Sequence, residues 1–213
     1  NDVSWDGGGL HNCSGSIVNC TISGNRAGGD GAGLAQCNGL LRNCVIWGND
    51  GAQVSACSSP TYSCIAGGGG STGCISDDPL FSAAGTWSDN GTPGDPADDL
   101  WTQGDYHLKS KKGRWLPGTG WVIDPQQSLC IDAGDPNDPC LNEPHPNGGR
   151  INMGVHGNTT KASKTYYPAT IDTLEPNTGA RGSRFRMVGE DFLGQPGSVS
   201  YGQIVSWTDT EIV

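Results

Sequence analysis

Two segments of this chain are copies of one another, and this repeat constrains the fold more than any other feature. Residues 31–49 reproduce residues 7–25 at a distance of 24 residues, with Gly, Leu, Cys, Asn and Ile recurring in register. A repeat of this length without a helical pattern is typical of stacked units that cannot bury their apolar face alone. The sequence therefore predicts a solenoid.

The cysteines follow the repeat. Cys57 and Cys64 keep the seven-residue spacing of the earlier pairs, and they define a third, shorter coil. The expected columns are Cys13, Cys37 and Cys57, and Cys20, Cys44 and Cys64. Inward thiols would pack as small apolar groups, which we favour. Disulfides between adjacent coils are the open alternative, because the spacing lies within the Cα range of such bonds.

Each copy also carries turn signals. The apolar alternation breaks at Asn19 and Asn43, which predicts a bend with stacked, mutually hydrogen-bonded Asn side chains. Residues 24–25 and 48–49 are Gly-Asn pairs, and both residue types accept positive φ. Coils stacked at the strand spacing of about 4.8 Å would form ladders of like residues. The predicted fold is therefore an all-β, right-handed parallel β-helix.

Changes in composition predict four segments. They are β-helix coils at 1–80, a C-terminal cap with loops at 81–160, a polar linker at 161–168, and a small, incomplete Ig-like β-sandwich at 169–213. The cap is expected because the open end of a solenoid exposes strand edges and core. Alternating stretches predict the strands of the sandwich. These stretches are 169–174, 184–189, 198–201, 204–207 and a last one from Glu211.

The first two segments resemble a known family. Residues 7–49 resemble the coils of pectin-lyase-like β-helices in bacterial surface proteins, including polymorphic outer-membrane-protein-type repeats. The motifs at 78–81, 104–108, 130–134 and 148–154 are similar to the cap of choice-of-anchor Q proteins. The resemblance covers residues 1–160. It implies a β-helical secreted or surface protein of bacterial type and says almost nothing about chemistry.

The last segment resembles an IPT/TIG immunoglobulin-like domain. The matching motifs are an opening strand with a Pro-x-x-Gly turn at 171–179, a Gly-x-x-Phe strand at 187–192, and a further strand at 199–202. The family pattern continues beyond a segment like 207–212, so we expect the domain to be incomplete here. The resemblance implies a spacer or interaction module.

Composition excludes several classes. With 12 basic and 22 acidic residues the formal charge is −10, which argues against nucleic acid or an anionic membrane surface as partner. None of the nine cysteines forms a Cys-x-x-Cys pair, which disfavours zinc and a thioredoxin-type site and favours an oxidising compartment. No apolar run is long enough to span a membrane. The chain starts inside a repeat, so we expect a fragment of a longer secreted protein.

Two disulfides are expected outside the columns. Cys130 and Cys140 flank an Asp- and Pro-rich turn, and a bridge there would contribute about 2–3 kcal/mol. Cys74 is left over, and Cys64 is its best partner. A nucleophilic cysteine is disfavoured, because no sequence signal pairs one with His107.

Two loops are dense in carboxylates. The first contains Asp89, Asn90, Asp95, Asp98 and Asp99, and the second contains Asp132, Asp135 and Asp138. Such clusters bind Ca²⁺, but neither loop has the spacing of a known calcium motif. Asx turns are the favoured explanation. No cofactor is required on this interpretation, and structural calcium is the alternative.

Other candidate binding residues have modest signals. Four tryptophans in the cap would suit sugar stacking or a scarce core; they are Trp87, Trp101, Trp115 and Trp121. Four basic residues would form a solvated edge or dock an acidic surface of another copy; they are Lys109, Lys111, Lys112 and Arg114.

The predicted function is a non-enzymatic extracellular protein with a structural, adhesive or assembly role. Its expected partners are other copies of itself or other surface proteins. The alternative is a polysaccharide-binding or polysaccharide-degrading, lyase-like β-helix protein with its active groove on upstream coils. Residues 7–49 contain one acid, Asp30, and Arg26 and Arg42 are expected to lie isolated on the surface. An outward-facing groove with at least two carboxylates and a basic residue, or bound Ca²⁺, on consecutive coils would contradict the structural role and favour the alternative.

Overall fold

The computed structural model describes residues 2–168, 170–176, 184–190 and 211–212. These residues are all-β, and the one helix among them is a 3-10 turn at Pro96–Asp98. The 35 glycines help to explain this, because glycine weakens a helix by about 1 kcal/mol relative to alanine. None of the described helices approaches the length and apolar character of a membrane-spanning segment.

The chain divides into two compact units, Asn1–Tyr166 and Tyr167–Val213. The first unit begins with ten strands of two residues each, which pair in small, separate parallel sheets. They are β1 (Asp2–Val3), β2 (Leu10–His11), β3 (Ile17–Val18), β4 (Thr21–Ile22), β5 (Arg26–Ala27), β6 (Leu34–Ala35), β7 (Leu41–Arg42), β8 (Val45–Ile46), β9 (Val54–Ser55) and β10 (Cys64–Ile65).

The parallel register follows the sequence repeat. Strand β2 pairs with β6, β3 with β7 and β4 with β8, and each pair joins equivalent residues of the two copies. The third copy continues two of these ladders at a shorter spacing, since β9 pairs with β6 and β10 with β8. Every residue of the first copy that lies in these ladders is thus matched to its own repeat equivalent.

The inward side chains of the copies form one apolar cluster. It contains Leu34, Leu41 and Ile46 with five of the six column cysteines, whereas Cys64 lies in a second cluster. Side chains of the second copy are more deeply buried than those of the first: Ile22 is 8% exposed, whereas its equivalent Ile46 is fully buried. The glycines before β2 and β6 allow this stacking: a Cβ on Gly9 would lie 2.4 Å from the carbonyl oxygen of Gly33. Close backbone approach therefore explains part of the glycine pattern.

The Asn side chains form a different ladder from the predicted one. Asn19 and Asn43 do take positive φ, 52° and 55°, but they are not bonded to each other. The Oδ1 atom of Asn19 is buried without a partner, and Asn43 bonds to the second acidic loop. The stacked amides are instead those of Asn25 and Asn49.

The turns are made by the predicted glycines. Gly24 and Gly48 each have φ of 69°, whereas the asparagines that follow them do not take positive φ. The Asn25 and Asn49 side chains bond to one another, since Asn25 Nδ2 donates to Asn49 Oδ1 at 2.8 Å.

Residues 71–77 cover the last ladder. Ile75 forms a parallel bridge to Cys64, and its backbone N–H donates to the carbonyl of Ser63 at 3.0 Å. The edge left by β10 is thus paired by a short segment that precedes the predicted cap.

Residues 81–160 contain three antiparallel strand pairs. They are β11 (Phe81–Ala83) with β14 (Asp105–Leu108), β12 (Thr86–Ser88) with β13 (Leu100–Thr102), and β15 (Arg114–Leu116) with β16 (Gly120–Val122). The strand predicted at 104–109 is therefore present as β14. The element predicted at 130–136 consists of turns.

This segment lies along the flank of both copies rather than only over their end. Trp87 Nε1 donates to the carbonyl of Gly24 at 3.1 Å, and Gly154 N donates to the carbonyl of Asn43 at 2.8 Å. A second apolar cluster joins Val45 of the repeat to Leu108 and other residues of the flanking segment. We call residues 81–160 the flanking segment below.

The predicted linker is packed over its first residues. Ala162 is fully buried, Ser163 Oγ donates to the carbonyl of Leu108 at 2.5 Å, and Thr165 Oγ1 donates to Asp132 at 2.7 Å. These residues belong to the first unit, because their side chains bond to residues of its flank.

The second unit contributes one described antiparallel sheet. Its order is β17 (Thr170–Glu175), β18 (Arg186–Glu190) and β19 (Glu211–Ile212). These strands agree with three of the five predicted ones. The strands predicted at 198–201 and 204–207 lie outside the described residues.

Candidate functional site

The first acidic loop is built from Asx turns. Asp89 accepts from the backbone N of Gly91 at 3.0 Å, and Asp95 accepts from that of Ala97 at 3.1 Å. Thr92 Oγ1 donates to Asp98 at 2.8 Å. Asn90 has φ of 51°, and its backbone N donates to the Ser88 hydroxyl. These contacts are those of turns, which was the favoured interpretation of the loop.

Asp99 leaves this loop to pair with the repeats. Its carboxylate is ion-paired with Arg26, whose guanidinium also lies 4.2 Å from the ring centroid of Trp87. Arg26 is therefore not isolated on the surface as predicted. This pair could not be predicted from the sequence, because its members are 73 positions apart.

A groove lies beside this ion pair. Parallel pairing places Asp2, Arg26 and Asp50 in one column on consecutive units. Together with Asp89 and Asp99 they line an open pocket of about 650 Å³. The groove thus has the composition expected of the polysaccharide-binding alternative, and this observation counts against a purely structural role. Its four carboxylates outnumber its one guanidinium, so it attracts cationic ligands, tolerates neutral ones and repels polyanions.

The second acidic loop also docks onto the repeats. Arg42 Nη2 lies 3.0 Å from Asp138, and Arg42 Nη1 lies 3.4 Å from Asp135. Asn43 Nδ2 donates to Asp138 at 2.6 Å, and Asp132 accepts from Gly148 N at 2.9 Å. Arg42 is therefore also paired, contrary to the prediction. The carboxylates of this loop face protein donors.

The cysteine columns bring thiols together without disulfide bonds between them. All nine cysteines are free thiols. Contact with the Cys44 thiol lowers the pKa of Cys20 to about 6 against the opposing effect of burial. The same contact, together with burial, raises the pKa of Cys44. Cys37 N donates to Cys57 Sγ at 3.2 Å, so the first column also stacks.

The two predicted disulfides are not formed in the structure. Cys130 lies against Cys64, and this thiol contact with burial raises the pKa of Cys64. Cys74 packs in the first apolar cluster, whereas Cys64 belongs to the second. Cys140 is only half-buried. The flanking segment therefore brings Cys130 to a repeat cysteine rather than to its neighbour in sequence.

The tryptophans form two cross-strand pairs. The rings of Trp87 and Trp101 are 5.3 Å apart, and those of Trp115 and Trp121 are 5.5 Å apart. Trp101 also fills the space beside Gly24, where an added Cβ would lie 2.3 Å from its ring. The first pair therefore supplies packing between the flanking segment and the repeats.

The predicted basic run is divided by burial. Arg114 is 8% exposed, and it binds Asp124 through Nε at 2.9 Å and Nη2 at 3.2 Å. The ammonium of Lys111 lies 5.5 Å from the ring of Tyr166. Arg114 thus forms a buried ion pair with Asp124 and is not part of a docking edge.

One cluster of chemical groups was not predicted. Strand β14 alternates its faces, so Asp105 and His107 lie on the same side, and His107 Nδ1 is 2.5 Å from Asp105 Oδ1. The ring of His156 stacks on that of His107 with centroids 3.5 Å apart. Among the described residues, these three side chains form the one set of three His, Cys, Asp or Glu groups close enough to share a metal ion.

The electrostatics of this cluster favour neutral imidazole at His156. Burial and the neighbouring His107 lower the pKa of His156 to about 4. Burial raises the pKa of Asp105, but hydrogen bonds from His107 outweigh it and leave that pKa below its usual range. His107 is 4% exposed, and its Nε2 atom has no hydrogen-bond partner. The alternation Asp-x-His was visible in sequence, whereas His156 arrives from a distant turn.

The chain was compared with known families, curated proteins and solved structures. No family model, no curated protein and no solved structure matches the chain.

Proposed function

We propose that residues 1–80 are the last coils of a right-handed parallel β-helix, flanked by residues 81–160 and followed by an IPT/TIG-like module. The observation that carries this proposal is the parallel register of Leu10 with Leu34 and of Leu34 with Val54. Pairing of repeat equivalents is what a stacked solenoid requires. The exposed edges of β2, β3 and β4 suit pairing with a further coil.

We infer a non-enzymatic structural or adhesive role at an extracellular surface. The two family resemblances and the acidic composition support this location. The ion pairs of Arg26 support the non-enzymatic role, because a basic residue that is held by Asp99 and 3.7 Å from Asp50 is not available to abstract a proton.

The test is a turnover panel on the purified chain. It contains neutral, amino-substituted and acidic polysaccharides, with and without Ca²⁺, and is read by new reducing ends and by unsaturated products. We expect no turnover. Turnover that is lost in Asp50→Asn but kept in Asp30→Asn would contradict the proposal, since Asp30 is an exposed acid of the same repeats outside the groove.

A second candidate function is glycan binding in the groove. The column Asp2, Arg26 and Asp50 favours it, since carboxylates accept hydrogen bonds from sugar hydroxyls and a guanidinium donates them. Neutral or amino sugars fit the acidic lining.

Binding of the same panel distinguishes this candidate. A glycan that binds there should lose at least about tenfold in affinity, roughly 1.4 kcal/mol, in Asp50→Asn. Asp30→Asn should bind as the unmodified chain does. Equal loss in both variants, or binding of polyanions alone, would exclude the groove.

A further inference from the structure

We propose that Cys64 and Cys130 are a redox pair that closes to a disulfide and so fastens the flanking segment covalently to the last ladder of the repeats. Both side chains are fully buried, both belong to the second apolar cluster, and their thiols are in contact. Cys64 lies on β10, whereas Cys130 lies in a turn of the flanking segment. The bond would therefore join two parts of the first unit that are distant in sequence.

A shift of one residue turns Cys64 toward the flanking segment. In the ladder Cys64 lies beside Val45 rather than beside Cys44, and Ser63 Oγ accepts the backbone N–H of Cys44 at 3.0 Å. Successive residues of a strand face opposite sides. Cys44 accordingly belongs to the first apolar cluster, whereas Val45 and Cys64 belong to the second, with residues of the flanking segment. The third unit thus has Ser63 at the column position and presents its thiol to the flank.

Hydrogen bonds hold Cys130 where it meets this thiol. Its backbone N–H donates to Ser128 Oγ at 3.1 Å, and its carbonyl accepts from Met153 N at 2.9 Å. Ser128 Oγ in turn donates to the carbonyl of Pro79 at 2.6 Å. Cys64 is held from the other side by the pairing of β10 with β8. Because both backbones are already fixed, closing the bond costs little further conformational entropy.

The column cysteines are less well placed for disulfides. Cys20 and Cys44 are repeat equivalents on parallel strands, which lie about 4.8 Å apart. Side chains of such neighbours point the same way and keep this separation, whereas a disulfide requires Cβ atoms about 3.5–4.5 Å apart. Cys64 and Cys130 come from the repeats and from the flanking segment, so no strand spacing separates them. This pair is therefore the better candidate for oxidation.

The bond forms by exchange with a low-molecular-weight disulfide such as oxidised glutathione. The thiolate of one cysteine attacks the reagent, whose S–S bond breaks and releases one thiol. The thiolate of the other cysteine then attacks the mixed disulfide and releases the second thiol. The protein gives up two protons and two electrons, and the two released thiols carry them.

The burial of the pair determines when the exchange takes place. Contact with Cys130 and burial raise the pKa of the Cys64 thiol, so the reactive thiolate is scarce in the folded chain. Neither sulfur is open to a reagent, because both residues are fully buried. We therefore expect the exchange to occur before the flanking segment has docked.

The experiment refolds the whole chain in a mixture of reduced and oxidised glutathione, with a fully reduced sample as reference. Remaining thiols are blocked, and mass spectrometry with fragmentation of the digested chain locates the linked peptides. We expect a link between Cys64 and Cys130, and a melting temperature about 5–15 °C higher in the oxidised sample. A chain without this link, whether fully reduced or with either cysteine bridged elsewhere, would overturn the proposal.

Two variants complete the test, Cys130→Ser and the matched control Cys140→Ser at a half-buried cysteine of the same segment. The difference in melting temperature between oxidised and reduced samples is measured within each variant, so a loss of packing affects both samples alike. Cys130→Ser should abolish this difference, and Cys140→Ser should retain it. The opposite result in either variant would overturn the proposal. If Cys130→Ser does not fold, the peptide map of the unmodified chain decides.

Discussion

Asn49 Oδ1 accepts two hydrogen bonds from Asn25, one from its backbone N at 3.0 Å and one from its Nδ2 at 2.8 Å. The chain of amides continues, because Asn49 Nδ2 donates to Gln53 Oε1 at 2.8 Å. One side chain thus couples both copies of the repeat to the third segment.

Replacing Asn49 by Ala should therefore be costly. The change removes the acceptor of both bonds from Asn25 and the donor to the carbonyl of Ile22 at 3.0 Å. We expect the free energy of unfolding to fall by about 2–3 kcal/mol. Urea denaturation measures it, with Asn38→Ala as control at an exposed asparagine whose Nδ2 bonds only locally, to the carbonyl of Gln36. A similar loss in both variants would contradict a specific role for the ladder.

Asn43 and Asn19 offer a matched comparison at one register position. Both have positive φ, but only Asn43 bonds to the second acidic loop, through Asp135 N at 2.7 Å and Asp138 at 2.6 Å. Asn43→Ala should destabilise by about 2–3 kcal/mol and Asn19→Ala by about 1 kcal/mol or less, since the backbone penalty is common to both. Thermal unfolding of the two variants gives the difference. Equal destabilisation would mean that the loop contact contributes nothing.

Ala56 occupies a left-handed position without benefit from its side chain. Its φ is 50°, close to that of Asn12 and Gln36 at the equivalent positions, and it is exposed. Ala56→Gly should raise stability by about 0.5 kcal/mol, because relief of the Cβ clash exceeds the added entropy of the unfolded chain. Ala52→Gly, at an exposed alanine with ordinary φ, should instead lower it. Loss of stability in both variants would contradict the backbone argument.

Glu143 should make stability depend on pH. It is 4% exposed, and burial raises its pKa from 4.5 to about 7 although two backbone N–H groups donate to it. Between those values the folded chain holds a proton that the unfolded chain has lost. This contribution to stability is therefore present at low pH and is lost as the pH rises to about 7.

The variant Glu143→Gln isolates this contribution. It should gain on the order of 2 kcal/mol relative to the unmodified chain between about pH 5 and about pH 8. Urea denaturation at the two pH values measures the gain. If the variant and the unmodified chain differ in free energy of unfolding by the same amount at both pH values, Glu143 does not change its protonation on folding.

The register of the repeats could be predicted from the sequence, because strands with the same residues at the same positions pair in parallel with equivalent residues side by side. Ile22 lies beside Ile46 since both copies place an apolar residue at the same step. The flank contacts could not be predicted, because Arg26 with Asp99 and Asn43 with Asp138 depend on where distant loops fold. The amide ladder was predicted at Asn19 and Asn43, but Asn43 is engaged by the second acidic loop and the ladder forms at Asn25 and Asn49.

The candidate sites were accessible from sequence only in part. The pair Asp105 and His107 follows from alternation in one strand, but the arrival of His156 depends on tertiary packing. The acidic groove was missed because its column includes Asp2 and Asp50, which lie outside the two copies that we compared. Cys130 was matched to its nearest cysteine in sequence, whereas the flanking segment carries it to Cys64.

The register of the first two copies has an evolutionary consequence. A tandem duplication of residues 7–30 would insert one unit in which Leu10 and Ile17 again find their equivalents one repeat away, while residues from 31 onward would keep their present neighbours, including the flanking segment. In the proposed β-helix, each such event would lengthen the stack by one strand spacing, about 4.8 Å. A single genetic recombination can thus change the reach of this protein in fixed increments, without requiring compensating substitutions elsewhere.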